Sequence, residues 1–269
     1  MKGAIIGDII GSVFIGDPIK AEEAQLFSNE SSFTDDTILT LSTADAILHQ
    51  LPYDQAMRDW VKQFPRAGYR QEFLDWALSD KHHDYISVGN GAARRISPIG
   101  FSAQSLEQCL EEAEKTTRLT HNVDIRIRAS RAYAGCIYLA REGESKQNIK
   151  KFAEKELNFS LNNSCADMQK RYANIEPVAT PVISAFAAFW EGNTWEESIR
   201  KAIWIGGPSN TIASITGGIA QAYFKHIPKS FIRKALIRLT PEMIALITDF
   251  DQIYMKGMDD IREIVFDLH

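Results

Sequence analysis

The chain opens with Gly3-Ala4-Ile5-Ile6-Gly7-Asp8-Ile9-Ile10-Gly11-Ser12, and how this run is read decides the fold class. Ala4-Ile5-Ile6 is the one short apolar stretch that resembles a strand. Elsewhere the strict apolar–polar alternation of a half-buried strand is almost absent. Helical signals take its place. Thr37–His49 sets Ile38, Leu39, Leu41, Ala46, Ile47 and Leu48 near one face, and Val123–Arg141 does the same with Ala129, Ala132, Cys136 and Ala140. Ser105-Leu106-Glu107-Gln108 and Thr194-Trp195-Glu196-Glu197 are capping-box patterns. Thr180-Pro181 and Thr240-Pro241 each offer an N-cap followed by proline at the first helical position. The sum predicts an all-α protein of about ten or more helices.

A chain of 269 residues with 45% hydrophobic side chains can bury one substantial core. No Pro/Gly/Ser-rich linker interrupts it, so a single domain over residues 1–269 is expected. The net charge of -5 argues against a nucleic-acid or membrane-surface protein, which would need a basic face. Cys109, Cys136 and Cys165 show no CxxC spacing and read as buried thiols in a reducing compartment. Asp8 interrupts the apolar N-terminal run, which fails as a secretory signal, and no segment approaches the roughly 20 apolar residues of a membrane span. The expected location is cytoplasmic.

Thr34-Asp35-Asp36-Thr37 stands just ahead of a helix. One reading is capping, because Asp and Thr satisfy free N–H groups and offset the helix dipole. The other is a hard-cation site, because paired carboxylates and a hydroxyl are the oxygen donors that Mg²⁺, Mn²⁺ or Ca²⁺ prefers.

The order of motifs along the chain adds context. After the opening run and Phe33–Thr37 come Gly68-Tyr69, then Gly89-Asn90-Gly91-Ala92-Ala93-Arg94-Arg95-Ile96-Ser97-Pro98, then Thr120-His121-Asn122, then Gly206-Gly207-Pro208-Ser209-Asn210-Thr211 leading to Gly217-Gly218. From Met1 to about Phe224 the chain resembles the ADP-ribosylglycohydrolase family, which includes dinitrogenase reductase-activating glycohydrolase. The resemblance implies a compact all-α protein with two Mg²⁺ or Mn²⁺ ions at the base of a cleft, hydrolysing the bond between ADP-ribose and its acceptor. It implies that Thr34, Asp35 and Asp36 occupy metal-ligand positions, with Asn210 and Thr211 at the second half of the site. It sets Asp8, Gly89, Asn90, Gly91, Arg94, Ser97, His121 and Pro208 at the cleft, the glycine loop beside the phosphates. His121 reads equally well as a capping or core histidine.

The departures from the family pattern are specific. The late motif of the family reads Gly-Gly-Asp-Ser/Thr-Asp-Thr, and here its two Asp positions are Pro208 and Asn210. Ile15 stands at a Glu position, Arg94 at a Met position and Val123 at the second His of the Thr-His motif. Two divalent ions bring four positive charges, and only Asp35 and Asp36 remain to answer them. Loss of charged oxygen ligands weakens a hard-cation site steeply, leaving room for a single weakly held ion on Thr34, Asp35, Asp36, Asn210 and Thr211. Without the ions the attacking water is neither placed nor activated.

The expectation is therefore a pseudohydrolase with no confident catalytic residue and no cofactor. Proteins of this family occur beside ADP-ribosyltransferase toxins, so the expected partner is such a toxin, neutralised by direct binding as an immunity protein would. Trp60, Trp76, Tyr69, Tyr85 and Arg94 are candidate anchors, although each Trp also reads as core, and the acidic stretch Glu107–Glu114 is a candidate steering patch. Two alternatives stand beside it. One is an active ADP-ribosylhydrolase using Mg²⁺ or Mn²⁺, and the other is a module that binds free ADP-ribose or a related nucleotide.

Overall fold

The computed structural model describes residues 1–16, 25–79, 85–87, 89, 91–172, 180–258, 261 and 264. Among them are α-helices and one 3-10 turn, with no strand. The opening run is helix α1 (Lys2–Gly11), buried along its whole length. A strand there would need a paired edge. As a helix, the Gly3, Gly7 and Gly11 spacing of four instead creates a smooth stripe.

That stripe receives α12 (Ser209–Phe224), also buried almost throughout. The two backbones approach so closely that a Cβ on Gly7 would lie 2.1 Å from the Ala213 carbonyl oxygen, and one on Gly11 would lie 2.4 Å from the Asn210 Cα. Only glycine permits this approach. The contact sets Asp8 of α1 beside Asn210 of α12, and these two positions begin the cleft.

Helix α2 (Asp35–His49) packs on this pair, followed by α3 (Tyr53–Gln63) and α4 (Gln71–Leu78). The helix expected from Thr37 thus starts two residues earlier, and Asp35 and Asp36 lie in its first turn. The 3-10 turn Ala93–Arg95 runs into α5 (Ser97–Ser102), and α6 (Leu106–Arg118), α7 (Asp124–Arg141) and α8 (Lys146–Leu157) pack in succession. Val123 is the extended residue before α7 and not its first turn. Helices α9 (Cys165–Tyr172), α10 (Thr180–Glu191) and α11 (Trp195–Ile205) complete the other flank of α12, and α13 (Lys229–Leu236) and α14 (Pro241–Tyr254) close the fold.

The caps form as the sequence dictates. Ser105 Oγ accepts from Gln108 N–H at 3.1 Å, Thr194 Oγ1 from Glu197 N–H at 3.1 Å and Thr240 Oγ1 from Met243 N–H at 3.4 Å. The core is one large cluster around α1, α7, α10 and α12, with a smaller one of Leu39, Met57, Val61, Phe73, Trp76 and Ala77 under the cleft wall. All three cysteines are buried free thiols. Among the described residues, no helix is long and apolar enough to cross a membrane.

Candidate functional site

Asp8 is the centre from which the site is built. Its carboxylate is fully buried and accepts the Thr34 N–H at 2.9 Å, the Thr34 hydroxyl at 2.6 Å, the Thr37 N–H at 3.2 Å and the Thr37 hydroxyl at 2.6 Å. One carboxylate thereby holds the N-terminus of α2 onto α1, with donors and helix dipole both favouring negative charge. Burial, with Asp36 adding to it, still pushes the Asp8 carboxyl up to about 6 against the pull of Thr34 and Thr37. Asp8 is a brace beneath the cleft and does not line it.

Thr34 caps α2, its Oγ1 accepting the Asp36 N–H at 3.2 Å. The same oxygen accepts Asn210 Nδ2–H at 3.2 Å, and that amide nitrogen lies 3.4 Å from Asp8 Oδ1. Asn210 therefore turns its donor end toward a carboxylate and a hydroxyl. Thr211 donates its hydroxyl to Asp36 Oδ2 at 2.9 Å. The late motif thus meets the Thr34–Thr37 segment, as the resemblance implies.

Arg94 stands over both carboxylates of the first turn. Its Nη2 donates to Asp35 Oδ2 at 2.6 Å and its Nη1 to Asp35 Oδ1 at 3.2 Å, and Nη1 also donates to Asp36 Oδ1. Asp36 is wholly buried, Asp35 nearly so, and the Arg94 side chain is 20% exposed. Burial alone would lower the Arg94 guanidinium, but Asp35 and Asp36 outweigh it and raise it, so it stays charged. Burial raises the Asp35 carboxyl, Arg94 opposes, and Asp36 and Asp8 add to the rise. The Thr40 hydroxyl, 2.7 Å from the Asp36 carbonyl and 3.2 Å from the Arg94 carbonyl, ties the 3-10 turn to α2 and fixes where the guanidinium falls.

On the opposite wall, Arg95 is fully buried and donates to the Thr116 carbonyl at 2.9 Å and the Thr120 hydroxyl at 2.8 Å. The same hydroxyl lies 2.8 Å from His121 Nδ1, so Arg95 and Thr120 together hold the His121 ring in place. Burial, followed by the charges of Arg95, Arg126 and Arg94, pushes it down to about 3, so it is neutral at physiological pH. His121 lines the cleft as a held, uncharged ring, which unites its two sequence readings.

The cleft has a volume of about 510 Å³ and is lined by Ile15, Asp35, Arg70, Tyr85, Gly89, Gly91, Arg94, His121, Pro208, Asn210 and Thr211, among others. Bare glycine backbone at Gly91 lies beside both Arg94 and His121, with a Cβ there meeting each at about 3.5 Å. Asn90, between the two glycines, lies outside the described residues. Ser97 does not reach the cleft wall, because it starts α5 with its side chain fully buried. Ile15 is 56% exposed at the mouth, held there by Gly16 N–H to the Gly207 carbonyl at 3.0 Å and Ser209 Oγ–H to the Phe14 carbonyl at 2.8 Å. Trp60 and Trp76 are core residues, Trp60 bonded to Asp45 at 2.8 Å and Trp76 under the Arg58 guanidinium at 4.2 Å. Glu112 and Glu114 of the acidic stretch pair with Lys115, Arg118 and Arg131 on the surface.

The model of the ADP-ribosylglycohydrolase family matches residues 1–256. The chain belongs to the ADP-ribosylglycohydrolase family. It is similar to the ADP-ribosylarginine hydrolase Tri1 of Pseudomonas putida (strain GB-1), with 22% identity over 273 residues covering 87% of this chain and 72% of that protein. It is also similar to the ADP-ribosylhydrolase ARH3 of Gallus gallus, with 22% identity covering 86% of each chain. A solved chain described as an "ADP-ribosylglycohydrolase-related protein complex" superposes with a TM-score of 0.65 at 22% identity, covering 94% of this chain and 99% of that one. This last likeness shows the fold.

The family is metal-dependent in general, and the donors present here do not fit a pair of divalent ions. Asp35 and Asp36 are both bound to a guanidinium. Pro208 has no ligand atom, and Asn210 presents its N–H to Thr34 and Asp8. Among the described residues, no three His, Cys, Asp or Glu side chains are arranged to hold a metal. Arg70, Arg95 and Thr120 were not among the site residues read from the sequence; Arg70 lines the cleft, and Arg95 and Thr120 act through His121. Arg95 was visible only as the neighbour of Arg94, and Thr120 as the first residue of the Thr-His motif.

Proposed function

We propose that this chain is a non-hydrolysing member of its family that acts by binding, occluding an ADP-ribosyltransferase toxin as an immunity protein does. The observation that carries the first half is the state of the four positions where the family pattern has aspartates. Two are ion-paired carboxylates, one is Pro208 and one is the amide Asn210. Pro208 and Asn210 offer no charged ligand to a water-activating ion, Arg94 occupies both remaining carboxylates, and Ile15 supplies no acid or base at the mouth.

Support for binding comes from the rim. Ile15 is exposed at the cleft mouth, and Ile86 and Val123 are exposed on segments joined by the Ser87 N–H to Thr120 carbonyl bond. A partner that covers these three side chains would remove their apolar surface from water, a gain that solvent alone does not offer. A transferase that brings an acidic group into this cleft would meet Arg70, since Arg94 is already paired with Asp35 and Asp36.

The test is to incubate the protein with ADP-ribosylated substrate and millimolar Mg²⁺ or Mn²⁺, and to titrate it against any ADP-ribosyltransferase found encoded near its gene. The expected result is no release of ADP-ribose and dose-dependent inhibition that survives in the Asp35→Asn/Asp36→Asn variant. Metal-dependent release that the same variant abolishes would establish the hydrolase reading instead, the activity named for Tri1 and ARH3. A second binding reading, free ADP-ribose or a related nucleotide, is favoured by the cleft's volume of about 510 Å³ and its bare Gly89 and Gly91 backbone. Calorimetry with ADP-ribose separates it from occlusion.

A further inference from the structure

We infer that Arg94 is the resident cation of this cleft: its guanidinium takes the place of a divalent ion on Asp35 and Asp36 and excludes metal, whatever carboxylates are present elsewhere in the site. This goes beyond the missing ligands. A site that has merely lost two aspartates keeps two free carboxylates and a residual affinity for a hard cation. Here both are engaged, Asp35 through two contacts and Asp36 through a third that shares Nη1.

The arrangement is built. Arginine is charged at every physiological pH, and its planar fork matches a carboxylate edge in a way lysine cannot. The guanidinium is covalently tethered, so it meets Asp35 and Asp36 at an effective concentration that a free ion at cellular levels does not approach. The Arg94 backbone carbonyl lies 3.2 Å from the Thr40 hydroxyl, which fixes the start of the side chain. Asp36 keeps its remaining oxygen on the Thr211 hydroxyl at 2.9 Å, so a metal would have to break two sets of contacts to enter. A divalent ion beside an undisplaced guanidinium would also meet like-charge repulsion in a site shielded from water.

Asn210 fits the same account. Its amide N–H lies 3.4 Å from Asp8 Oδ1 and 3.2 Å from Thr34 Oγ1. An aspartate there would crowd Asp8, Asp35 and Asp36 around a single positive charge. Restoring the carboxylates without removing Arg94 therefore gives an anionic cluster with its centre already filled. The inference does not depend on whether the chain blocks a transferase, and its test reads metal alone.

The experiment compares the unaltered protein with Arg94→Met, Pro208→Asp/Asn210→Asp and the triple variant that combines them. Bound Mn²⁺ is read from loss of the free-ion EPR signal, and melting temperature is followed with and without Mn²⁺. We expect no uptake and no metal-dependent melting shift for the unaltered protein or for Pro208→Asp/Asn210→Asp. Arg94→Met gains Mn²⁺ uptake and a melting temperature that rises with Mn²⁺, and the triple variant binds at least about tenfold tighter than Arg94→Met, since ligand charge sets affinity. If Arg94→Met folds only when Mn²⁺ is present, that supports the inference directly. If it folds under neither condition, Arg94→Lys decides, because its single ammonium cannot bridge both carboxylates and should admit weak uptake. The inference is overturned by Mn²⁺ uptake in the unaltered protein, by a Pro208→Asp/Asn210→Asp variant that binds as tightly as the triple, or by no gain in folded Arg94→Met or Arg94→Lys.

Discussion

Arg94 grips Asp35 edge to edge, Nη2 to Oδ2 at 2.6 Å and Nη1 to Oδ1 at 3.2 Å, and this pair stands where the family's pattern places metal. The pair is mostly buried, with Arg94 20% and Asp35 7% exposed. Breaking such a pair from one side leaves an uncompensated charge in a poorly solvated site. Without metal, Arg94→Met should cost about 3–5 kcal/mol of stability in urea unfolding. Arg94→Met combined with Asp35→Asn and Asp36→Asn should recover most of that loss. A single variant as stable as the parent would mean that the carboxylates take up protons at no cost.

The close approach of α1 and α12 predicts a second effect. A Cβ at Gly7 would sit 2.1 Å from the Ala213 carbonyl oxygen, with no flexible side chain to yield. Gly7→Ala should destabilise by about 3 kcal/mol, as overpacking of rigid backbone does. Because the same contact holds Asp8 beside Asn210, the variant should also weaken any ligand or partner that binds the cleft. Thermal unfolding and a binding titration on the same sample check both parts.

His121 predicts a pH dependence. Its folded value is down near 3, against an ordinary value of 6.5 in the unfolded chain. Between those limits the unfolded state binds more protons, so this residue makes stability rise with pH and fall on acidification from pH 6.5 toward 3. The slope from one such group is at most about 1.4 kcal/mol per pH unit. Asp8 and Asp35 act in the opposite direction: their folded values are raised, so their contributions shrink as pH climbs from 3.8. The difference between the parent and His121→Gln stability curves isolates the histidine, and it should narrow steadily below pH 6.5. A constant difference would mean that the ring titrates alike in the folded and unfolded chain, and a difference that widens on acidification would place it in a protonated, paired state.

The exposed Ile15 at the cleft mouth predicts a binding effect without a folding effect. If the rim contacts a transferase, Ile15→Glu should weaken inhibition at least tenfold, or about 1.4 kcal/mol. Its melting temperature should match the parent, since the side chain is 56% exposed. Unchanged inhibition would take the mouth of the cleft out of the binding surface.

The sequence by itself determined the all-α class, the capping residues Ser105, Thr194 and Thr240, the buried thiols and the family, because each depends on local spacing or on motif order. It also brought Thr34–Thr37 and Pro208–Thr211 into one site and exposed the missing carboxylates. Only the tertiary structure decided what those residues do there. Asp8 and Ser97 share their motifs with cleft residues, but helix packing turns both side chains inward. Trp60 and Trp76 offer the same composition as interface anchors, and burial alone assigns them to the core. Arg94 was visible as a departure from a Met position, yet its partners lie 58 and 59 residues away, at Asp36 and Asp35. No local pattern encodes a contact of that separation. It arises because α1 and α12 meet through glycine, Asp8 pins α2 to them, and the 3-10 turn drops a guanidinium onto the two carboxylates that remain.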